Sequence, residues 1–306
     1  MPSECEAANG QEISLADLKE FQFKEVLNSD STRKSIFVLL EKDGKNAILI
    51  CDKQPFAEKG ADAEKWITSS KLNHLTQNDV YGNYVLEIPP ELNAIKSTLI
   101  FPANEKHILK YRAQERFLIA ETGEDFEKIT LPHITASNFG VQWVYNCLEH
   151  KSEQDRLIFE DLDEQNGFQL YPDLKWDGKT PENLYCQAII RRRGVRSVRD
   201  LRGTDIELLE NIMTNSKKAI RDRYGVNPAQ LKAYFHYQPS YYHLHVHFVK
   251  LGYDAPGGTM FSILVDTAIG NLRIASDYYK RATLPFMVKA LDPLCQKYKD
   301  AGKINF

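Results

Sequence analysis

Three histidines alternate along one short segment of this chain: His243, His245 and His247, within the sequence HLHVHFV. The whole chain has only eight histidines in 306 residues. Alternate residues of a β-strand share one face, so the three imidazoles would line one side while the apolar residues between them face the core. Buried ring nitrogens need hydrogen-bond partners, which makes three adjacent imidazoles a poor way to build a core. The segment therefore predicts a functional site.

Two kinds of chemistry use such a row of histidines. In the first, two or three imidazoles bind zinc or another transition metal, and Asp254 or His236 would be the nearest further ligand. In the second, one imidazole attacks phosphorus while its neighbours bind the phosphate oxygens. The hydroxyl, amide and imidazole donors just upstream, in the segment 234–242, favour phosphate. We predict a phosphate site without a metal and keep zinc as the alternative.

The middle histidine, His245, is the best candidate for the nucleophile. It has a histidine two residues away on each side, and these would offset negative charge as it develops on the phosphate. Attack by neutral imidazole gives a phosphoramidate and divides one displacement into two easier steps. Because an unperturbed histidine titrates near neutrality, activity is expected to fall on acidification between roughly pH 8 and pH 4.

The elements that must position this segment are short strands mixed with helices. Strands are predicted at 35–40, 46–51, 81–88, 97–102, 156–159, 167–171, 185–191, 231–237 and 243–249. Helices are predicted at 107–122, 137–148 with Ser137 as N-cap, 204–223, 261–273 and 287–299. This order favours an α+β fold with an antiparallel sheet over a doubly wound sheet.

The length of the chain allows two domains. We predict a tail without fixed structure at 1–12, a smaller β-rich domain at 13–108, and a catalytic domain at 109–306. The net charge of −3 argues against a surface that coats a polyanion, so DNA is not expected as a partner.

The cysteines and the apolar residues are spread along the chain. Five scattered cysteines without CxxC spacing are typical of reduced thiols. No apolar stretch is long enough for a transmembrane helix, so no membrane partner is expected. The predicted location is the cytoplasm, with the nucleus as the second candidate.

Two longer segments carry a resemblance to a known family. The sequences FHYQPSYYHLHVHF at 235–248 and GFQLYPDLKW at 167–176 resemble those of the scavenger mRNA-decapping enzymes, a branch of the histidine-triad superfamily. The resemblance implies a histidine-triad antiparallel sheet and hydrolysis of m7GpppN, or of short capped RNA, to m7GMP and a nucleoside diphosphate. It also implies that His245 carries a nucleotidyl intermediate, that His243, His247 and His236 orient and neutralise the phosphates, and that no cofactor is needed.

The resemblance further implies a pocket for the methylated base. Trp143 would stack on 7-methylguanine, Pro172 and Leu174 would close the other face, and Glu153 would accept hydrogen bonds from the base edge. The cationic purine adds a cation–π contribution to this stacking. Without the resemblance, Trp143 would be interpreted as a core residue and Glu153 as a surface charge.

Other implied contacts lie on both sides of the predicted boundary. In the catalytic domain they are Asp173, Lys175, Ser240 and Tyr241; in the N-terminal domain they are Asn78 and Tyr81. The family forms homodimers with exchanged N-terminal segments, so residues 13–108 would serve as a dimerisation and lid domain. The expected partners are a capped RNA fragment or cap dinucleotide and a second copy of the chain.

Three other functions remain open at this point. A histidine-triad dinucleoside-polyphosphate hydrolase or nucleoside phosphoramidase would lack cap specificity and would turn over ApppA as readily as m7GpppG. A cap-binding module without catalysis would be indifferent to loss of the His245 imidazole. A zinc enzyme would instead be inactivated by chelators.

Overall fold

The computed structural model describes residues 18–54, 56, 60–136, 140–255 and 261–304. They belong to two compact units that meet in sequence between Gln114 and Glu115, whereas the sequence placed the boundary after residue 108. The predicted tail at 1–12 and the predicted N-cap Ser137 lie outside the described residues. No helix in the described ranges is both long and apolar enough to cross a membrane.

The N-terminal unit is built mainly from antiparallel strands. Its elements are β1 (Gln22–Asp30), β2 (Ser35–Lys42), β3 (Lys45–Lys53), α1 (Gly60–Ser69), β4 (Lys71–Asn78), β5 (Tyr81–Glu87), β6 (Ile95–Ile100) and α2 (Glu105–Tyr111). One sheet has the order β1-β2-β3-β6, and β4 and β5 form a separate ribbon. The strands predicted at 35–40 and 46–51 are β2 and β3, which pair as an antiparallel hairpin. Its turn residues Asp43 and Gly44 both have positive φ, 51° and 69°, as a tight two-residue hairpin turn requires.

The C-terminal unit mixes strands and helices. Its strands are β7 (Arg116–Glu121), β8 (Phe159–Glu160), β9 (Phe168–Pro172), β10 (Tyr185–Ile190), β11 (Leu231–His236), β12 (His245–Lys250), β13 (Ser262–Leu264) and β14 (Leu284–Lys289). Its helices are α3 (Gly123–Asp125), a π-helical segment (Phe126–Thr130), α4 (Leu131–Ala136), α5 (Gln142–Leu148), α6 (Ile206–Tyr224), α7 (Val265–Ile274), α8 (Tyr278–Arg281) and α9 (Pro293–Asp300). Short 3-10 turns occur at Pro90–Leu92, Gln154–Arg156, Pro181–Asn183, Val198–Asp200, Gly203–Asp205 and Pro228–Gln230.

A six-stranded antiparallel sheet, in the order β13-β11-β12-β10-β9-β8, carries the histidine segment near its centre. Leu244, Val246 and Phe248 are buried in the main core with α6, so the predicted apolar face is confirmed. Helix α6 also matches its prediction and ends at Gly225, which has a φ of 71°. The two units together make the α+β fold that the sequence predicted.

Two predicted helices are wrong in part. The expected helix over 107–122 is α2 followed by strand β7, which pairs with β14. Residues Ile119 and Glu121 are buried while Leu118 and Ala120 are exposed, a period of two that suits a strand. The expected helix over 287–299 is the end of β14 and then α9, which starts at Pro293. The helix that carries Trp143 begins at Gln142.

Candidate functional site

Strand β12 places His247 opposite polar residues on both neighbouring strands. His247 lies opposite Gln187 of β10 and Tyr234 of β11. His245 lies opposite Ile189 of β10. The rings of His245 and His247 pack edge to face with their centroids 4.8 Å apart. The sheet thereby gathers imidazole, phenol and amide groups on the face turned away from the core.

The hydrogen bond of His245 determines which of its nitrogens can react. Its Nδ1 lies 2.8 Å from the backbone carbonyl oxygen of His243. A carbonyl oxygen only accepts, so Nδ1 carries the proton and Nε2 of the neutral ring keeps its lone pair. This Nε2 is buried and has no hydrogen-bond partner within the part of the chain that the structure describes. A buried lone pair left unpaired is the feature expected of a nucleophile.

His247 and His236 lie beside this nitrogen. Nδ1 of His247 is 3.1 Å from the Tyr185 hydroxyl and 3.5 Å from Nε2 of Gln187. The His247 ring also stacks on Tyr234, with centroids 5.2 Å apart. The His236 ring is 6.5 Å from the His247 ring. The structure thus brings together His236, His245 and His247, whose contact with phosphate remains a prediction.

His243 differs from the other two. The strand was predicted from residue 243, but β12 begins at His245, so His243 lies before it. Its Nε2 is 2.8 Å from the carbonyl oxygen of Ile190, and its ring packs on Tyr145. Its backbone carbonyl oxygen accepts the hydrogen bond from Nδ1–H of His245. The observed geometry makes His243 a support for His245, and its predicted contact with phosphate is untested.

Burial lowers the pKa of every imidazole in this group. Loss of solvation, together with the neighbouring His243 and His236, lowers the pKa of His245 to about 4. Burial likewise lowers the pKa of His247 and of His236, and Lys175 adds to the effect on both. His245 is therefore neutral, with its lone pair available, across the physiological pH range.

The pH dependence of activity follows from these shifts. We expect kcat/KM to stay level from roughly pH 7 to pH 5 and to fall only near pH 4, lower than an unperturbed histidine would give. At His236, His243, His245 and His247 the unfolded chain binds more protons below roughly pH 6.5 than the folded chain does, so the free energy of unfolding decreases as pH falls from 6.5 towards 4. Steady-state rates and circular dichroism at each pH separate the two effects. An acid limb near pH 6.5 with the fold intact would contradict the assignment.

A cavity of about 500 Å³ opens beside the histidines, within the size range of small-molecule sites. It is lined by Trp143, Asn146, Cys147, Ser152, Glu153, Arg156, Tyr171, Pro172, Asp173, Leu174, Lys175, Gln187, Ile189 and Tyr241. All of these residues are in the C-terminal unit. Seven of them were predicted from the sequence as base or substrate contacts: Trp143, Glu153, Pro172, Asp173, Leu174, Lys175 and Tyr241.

Aromatic rings connect the cavity to His245. Tyr241 stacks on His245 with centroids 4.0 Å apart and planes 14° from parallel. Trp143 meets Tyr241 edge to face at 4.9 Å. Trp143 is 45% exposed and Leu174 is 82% exposed, so both apolar surfaces of the cavity are available to a planar ligand. Trp143 is therefore a cavity residue and not the core tryptophan of the alternative interpretation.

Glu153 also lines the cavity, but it has a partner that the sequence did not indicate. Its carboxylate forms an ion pair with Arg156, and Arg156 donates to the carbonyl oxygen of Pro172 at 2.8 Å. Glu153 has a φ of 59°, in the left-handed region that costs a residue with a side chain about 1–3 kcal/mol. The local fold therefore holds this carboxylate at the rim of the cavity.

Asp173, Leu174 and Lys175 form a turn after β9. Asp173 is buried and accepts hydrogen bonds from Nε2 of Gln187 at 2.6 Å and from the backbone of Lys175 at 2.8 Å. Lys175 is exposed at the rim, and its charge acts on His236 and His247.

Three predicted contacts lie outside this cavity. Ser240 is exposed in the loop between β11 and β12. Asn78 and Tyr81 belong to the N-terminal unit, where they pair across the turn of the β4-β5 ribbon. Their part in the site remains a prediction.

Sequence reasoning missed Tyr185, Gln187 and Arg156. Tyr185 and Gln187 alternate on β10 in the sequence YCQAII, where a single amide interrupts an apolar strand. That interruption was the available signal, because a polar residue on a central strand needs a partner. Arg156 had no comparable signal. Within the ranges described, no group of three or more histidine, cysteine or acidic side chains is arranged to hold a metal ion.

An alternating histidine row on a central antiparallel strand, beside an aromatic cavity, places this chain among the histidine-triad proteins. Two family models match it: "Scavenger mRNA decapping enzyme (DcpS) N-terminal" at residues 16–114 and "Scavenger mRNA decapping enzyme C-term binding" at residues 142–261. The chain belongs to the scavenger mRNA decapping enzyme family, as the sequence predicted.

Three relatives illustrate the similarity, and each is named m7GpppX diphosphatase. The protein of Ascaris suum is 48% identical over 97% of this chain and 99% of its own length. The protein of Caenorhabditis elegans is 49% identical over 94% of this chain and 93% of its own length. The protein of Homo sapiens is 41% identical over 92% of this chain and 86% of its own length.

Proposed function

We propose that this chain hydrolyses m7GpppN cap dinucleotides and short capped RNA fragments to m7GMP and a nucleoside diphosphate. The observation that carries the proposal is the unpaired, buried Nε2 of His245, which lies beneath Tyr241 at the edge of the cavity. The names of the relatives support the substrate class, since each is an m7GpppX diphosphatase.

The proposed reaction has two displacements at one phosphorus. The lone pair of His245 Nε2 attacks the phosphate next to 7-methylguanosine, a P–N bond forms, and the P–O bond to the following phosphate breaks, which releases the nucleoside diphosphate. Water then attacks the same phosphorus and the P–N bond breaks, which releases m7GMP. His236, His247 and Lys175 offset the charge on the phosphate oxygens. This histidine intermediate is a proposal on geometry alone.

The cavity beside His245 is the proposed binding site of the methylated base. We propose that it stacks between Trp143 and the Pro172–Leu174 surface, with Glu153 accepting from its N1–H and exocyclic amine. Methylation at N7 makes the base cationic, which favours both the indole face and the carboxylate. Asp173, Ser240 and Tyr241 complete the proposed contacts in this unit.

One experiment tests the proposed function directly. The protein is incubated with m7GpppG and excess chelator in H₂¹⁸O, and the products are identified by mass spectrometry. We expect m7GMP carrying ¹⁸O and unlabelled GDP. Formation of m7GDP and GMP would contradict the proposal, and loss of activity with chelator would favour a metal enzyme. Equal turnover of ApppA would favour the dinucleoside-polyphosphate hydrolase.

Truncation of Trp143 should weaken selection of the methylated base. Base–aromatic stacking contributes about 1–3 kcal/mol, so Trp143→Ala should raise KM for m7GpppG by about 10- to 100-fold, and should raise KM for GpppG less. Steady-state kinetics with both dinucleotides measure the ratio. Trp66→Ala, the same truncation in α1 of the N-terminal unit, should leave that ratio unchanged. An unchanged ratio in Trp143→Ala would remove Trp143 from the base site.

We also propose the arrangement implied for the N-terminal part. Residues 13–108 would form a dimerisation and lid domain with an exchanged segment, and Asn78 and Tyr81 would complete the site from it. Supporting this, the β4-β5 ribbon leaves Leu72, Val80 and Tyr81 exposed. We propose the cytoplasm as the location, with the nucleus second. Sedimentation of the full chain tests the dimer.

A further inference from the structure

We infer that Gln187 is a positioning residue for the reaction: its amide determines which nitrogen of His247 carries the proton, and it links the base cavity to the histidines. This inference deepens the proposed function and rests on it for the catalytic consequence. The placement of the proton itself can be measured without substrate.

Gln187 makes three contacts with three different parts of the site. It lies on β10, directly opposite His247. Its Nε2 donates to Oδ2 of Asp173 at 2.6 Å and points to Nδ1 of His247 at 3.5 Å. Its Oε1 accepts from the Tyr241 hydroxyl at 3.2 Å. One side chain thus contacts the cavity wall, the histidine strand and the ring that covers His245.

The orientation of this amide follows from chemistry. An ionised carboxylate is an acceptor only, so the Gln187 atom that lies 2.6 Å from Asp173 must be the nitrogen. Turning the amide over would bring its oxygen against the Asp173 carboxylate, where two acceptors would face each other without a proton between them. Asp173 therefore holds the amide in one orientation.

The amide in turn determines the tautomer of His247. The amide nitrogen has no lone pair to offer, so an N–H at Nδ1 of His247 would face another N–H only 3.5 Å away. The Tyr185 hydroxyl, at 3.1 Å from the same Nδ1, can rotate to donate or to accept and does not decide between tautomers. Nδ1 is consequently the acceptor, and the proton of the neutral ring is on Nε2. That N–H is the donor His247 can offer to a phosphate oxygen.

The third contact bears on the nucleophile. The Tyr241 ring lies 4.0 Å above the His245 ring, and its hydroxyl is anchored to Gln187. A change at Gln187 should therefore affect two histidines at once. It should alter the position of the proton on His247 and the packing of the Tyr241 ring on His245.

The test is the tautomer of His247 in the substrate-free full-length protein. Long-range ¹H–¹⁵N spectra of the histidine rings distinguish a protonated from an unprotonated nitrogen, and His247→Asn identifies the His247 signals by their disappearance. In the wild-type protein we expect Nε2 protonated and Nδ1 not. In Gln187→Glu the oxygen that replaces the amide nitrogen should share a proton with Asp173 and keep a lone pair towards Nδ1 of His247, so the proton of the His247 ring should move to Nδ1. In Gln187→Met, with similar length and no amide, both tautomers should appear.

Kinetics supply the second readout. In Gln187→Glu, kcat for m7GpppG should fall about 10- to 100-fold, because a phosphate donor is lost, while KM changes less than about threefold. Gln169→Met is the matched control for the spectra, since Gln169 is a buried glutamine on β9 that bonds to Glu160 and Tyr171 and should leave the His247 ring unchanged.

Two results would overturn the inference. One is a wild-type His247 with its proton on Nδ1; the other is a Gln187→Glu protein in which neither the tautomer nor kcat changes. If that variant does not fold, a single unaltered tautomer in Gln187→Met overturns it equally. The expected tautomers together with absent cap hydrolysis would leave the inference on His247 standing and reject the proposed function.

Discussion

Replacement of His245 by alanine should lower kcat for m7GpppG by about 10⁴-fold or more, because it removes the nitrogen that forms the proposed P–N bond. Binding of the dinucleotide should be nearly unchanged, since the cavity that lies beside His245 keeps its lining. Single-turnover rates and equilibrium binding measured by fluorescence on the same preparation report the two effects. His133→Ala, a histidine of α4 away from the site, should leave kcat unchanged.

The intermediate provides the sharper half of this test. A substrate labelled with ³²P in the phosphate next to 7-methylguanosine is mixed with wild-type protein, and the reaction is stopped at alkaline pH, where a phosphoramidate survives. We expect the label on a peptide containing His245. Label on another residue, or full activity in the alanine variant, would reject the nucleophile assignment. A protein that only binds caps would show no difference between wild type and variant.

Replacement of Arg199 by methionine should destabilise the C-terminal unit by about 3–5 kcal/mol, because it leaves a buried carboxylate without its counter-charge. Arg199 and Glu121 are almost completely buried and form an ion pair of 2.8 Å. Arg199 also donates to the carbonyl oxygen of Tyr279 at 3.0 Å. On the other side, Tyr298 donates to Glu121 at 2.9 Å. The pair thus joins β7, α8 and α9.

The same network reaches the loop between β11 and β12. The Tyr237 hydroxyl donates to Glu121, and Gln238 donates to the same carboxylate at 3.2 Å. Gln238 also accepts from the Tyr242 hydroxyl at 3.0 Å, across the loop that contains Ser240 and Tyr241. Loss of the pair should therefore loosen this loop as well as the fold.

Urea unfolding followed by far-ultraviolet circular dichroism measures the effect on stability. The double variant Glu121→Leu with Arg199→Met removes both charges and should recover part of the loss. Arg273→Met is the control: its pair with Glu210 is exposed, so its removal should cost less than about 1 kcal/mol. An Arg199→Met protein as stable as the wild type would show that the pair contributes nothing to the fold.

Local patterns were enough for much of the fold. The β2-β3 hairpin follows from a turn that requires two residues of positive φ, and α6 follows from helical spacing and a glycine at its end. The chain between 107 and 122 could not be assigned in this way. Its apolar residues fit both the helical period of 3.6 residues and the strand period of two. Strand β7 forms because β14, more than 160 residues later, pairs with it. Pairing over such a distance leaves no local trace.

The order of residues alone established the alternating histidines, the apolar face behind them, the α+β class and the family. These depend on spacing along one strand and on motifs, both of which are local. Tertiary structure decided which nitrogen of His245 keeps its lone pair, how far burial lowers its pKa, and which amide orients His247. Those properties depend on the His243 carbonyl just before β12, the Asp173 carboxylate just after β9 and the Gln187 amide on β10. The folded sheet brings these groups together, and the partners of buried polar atoms are set by contacts that form only on folding.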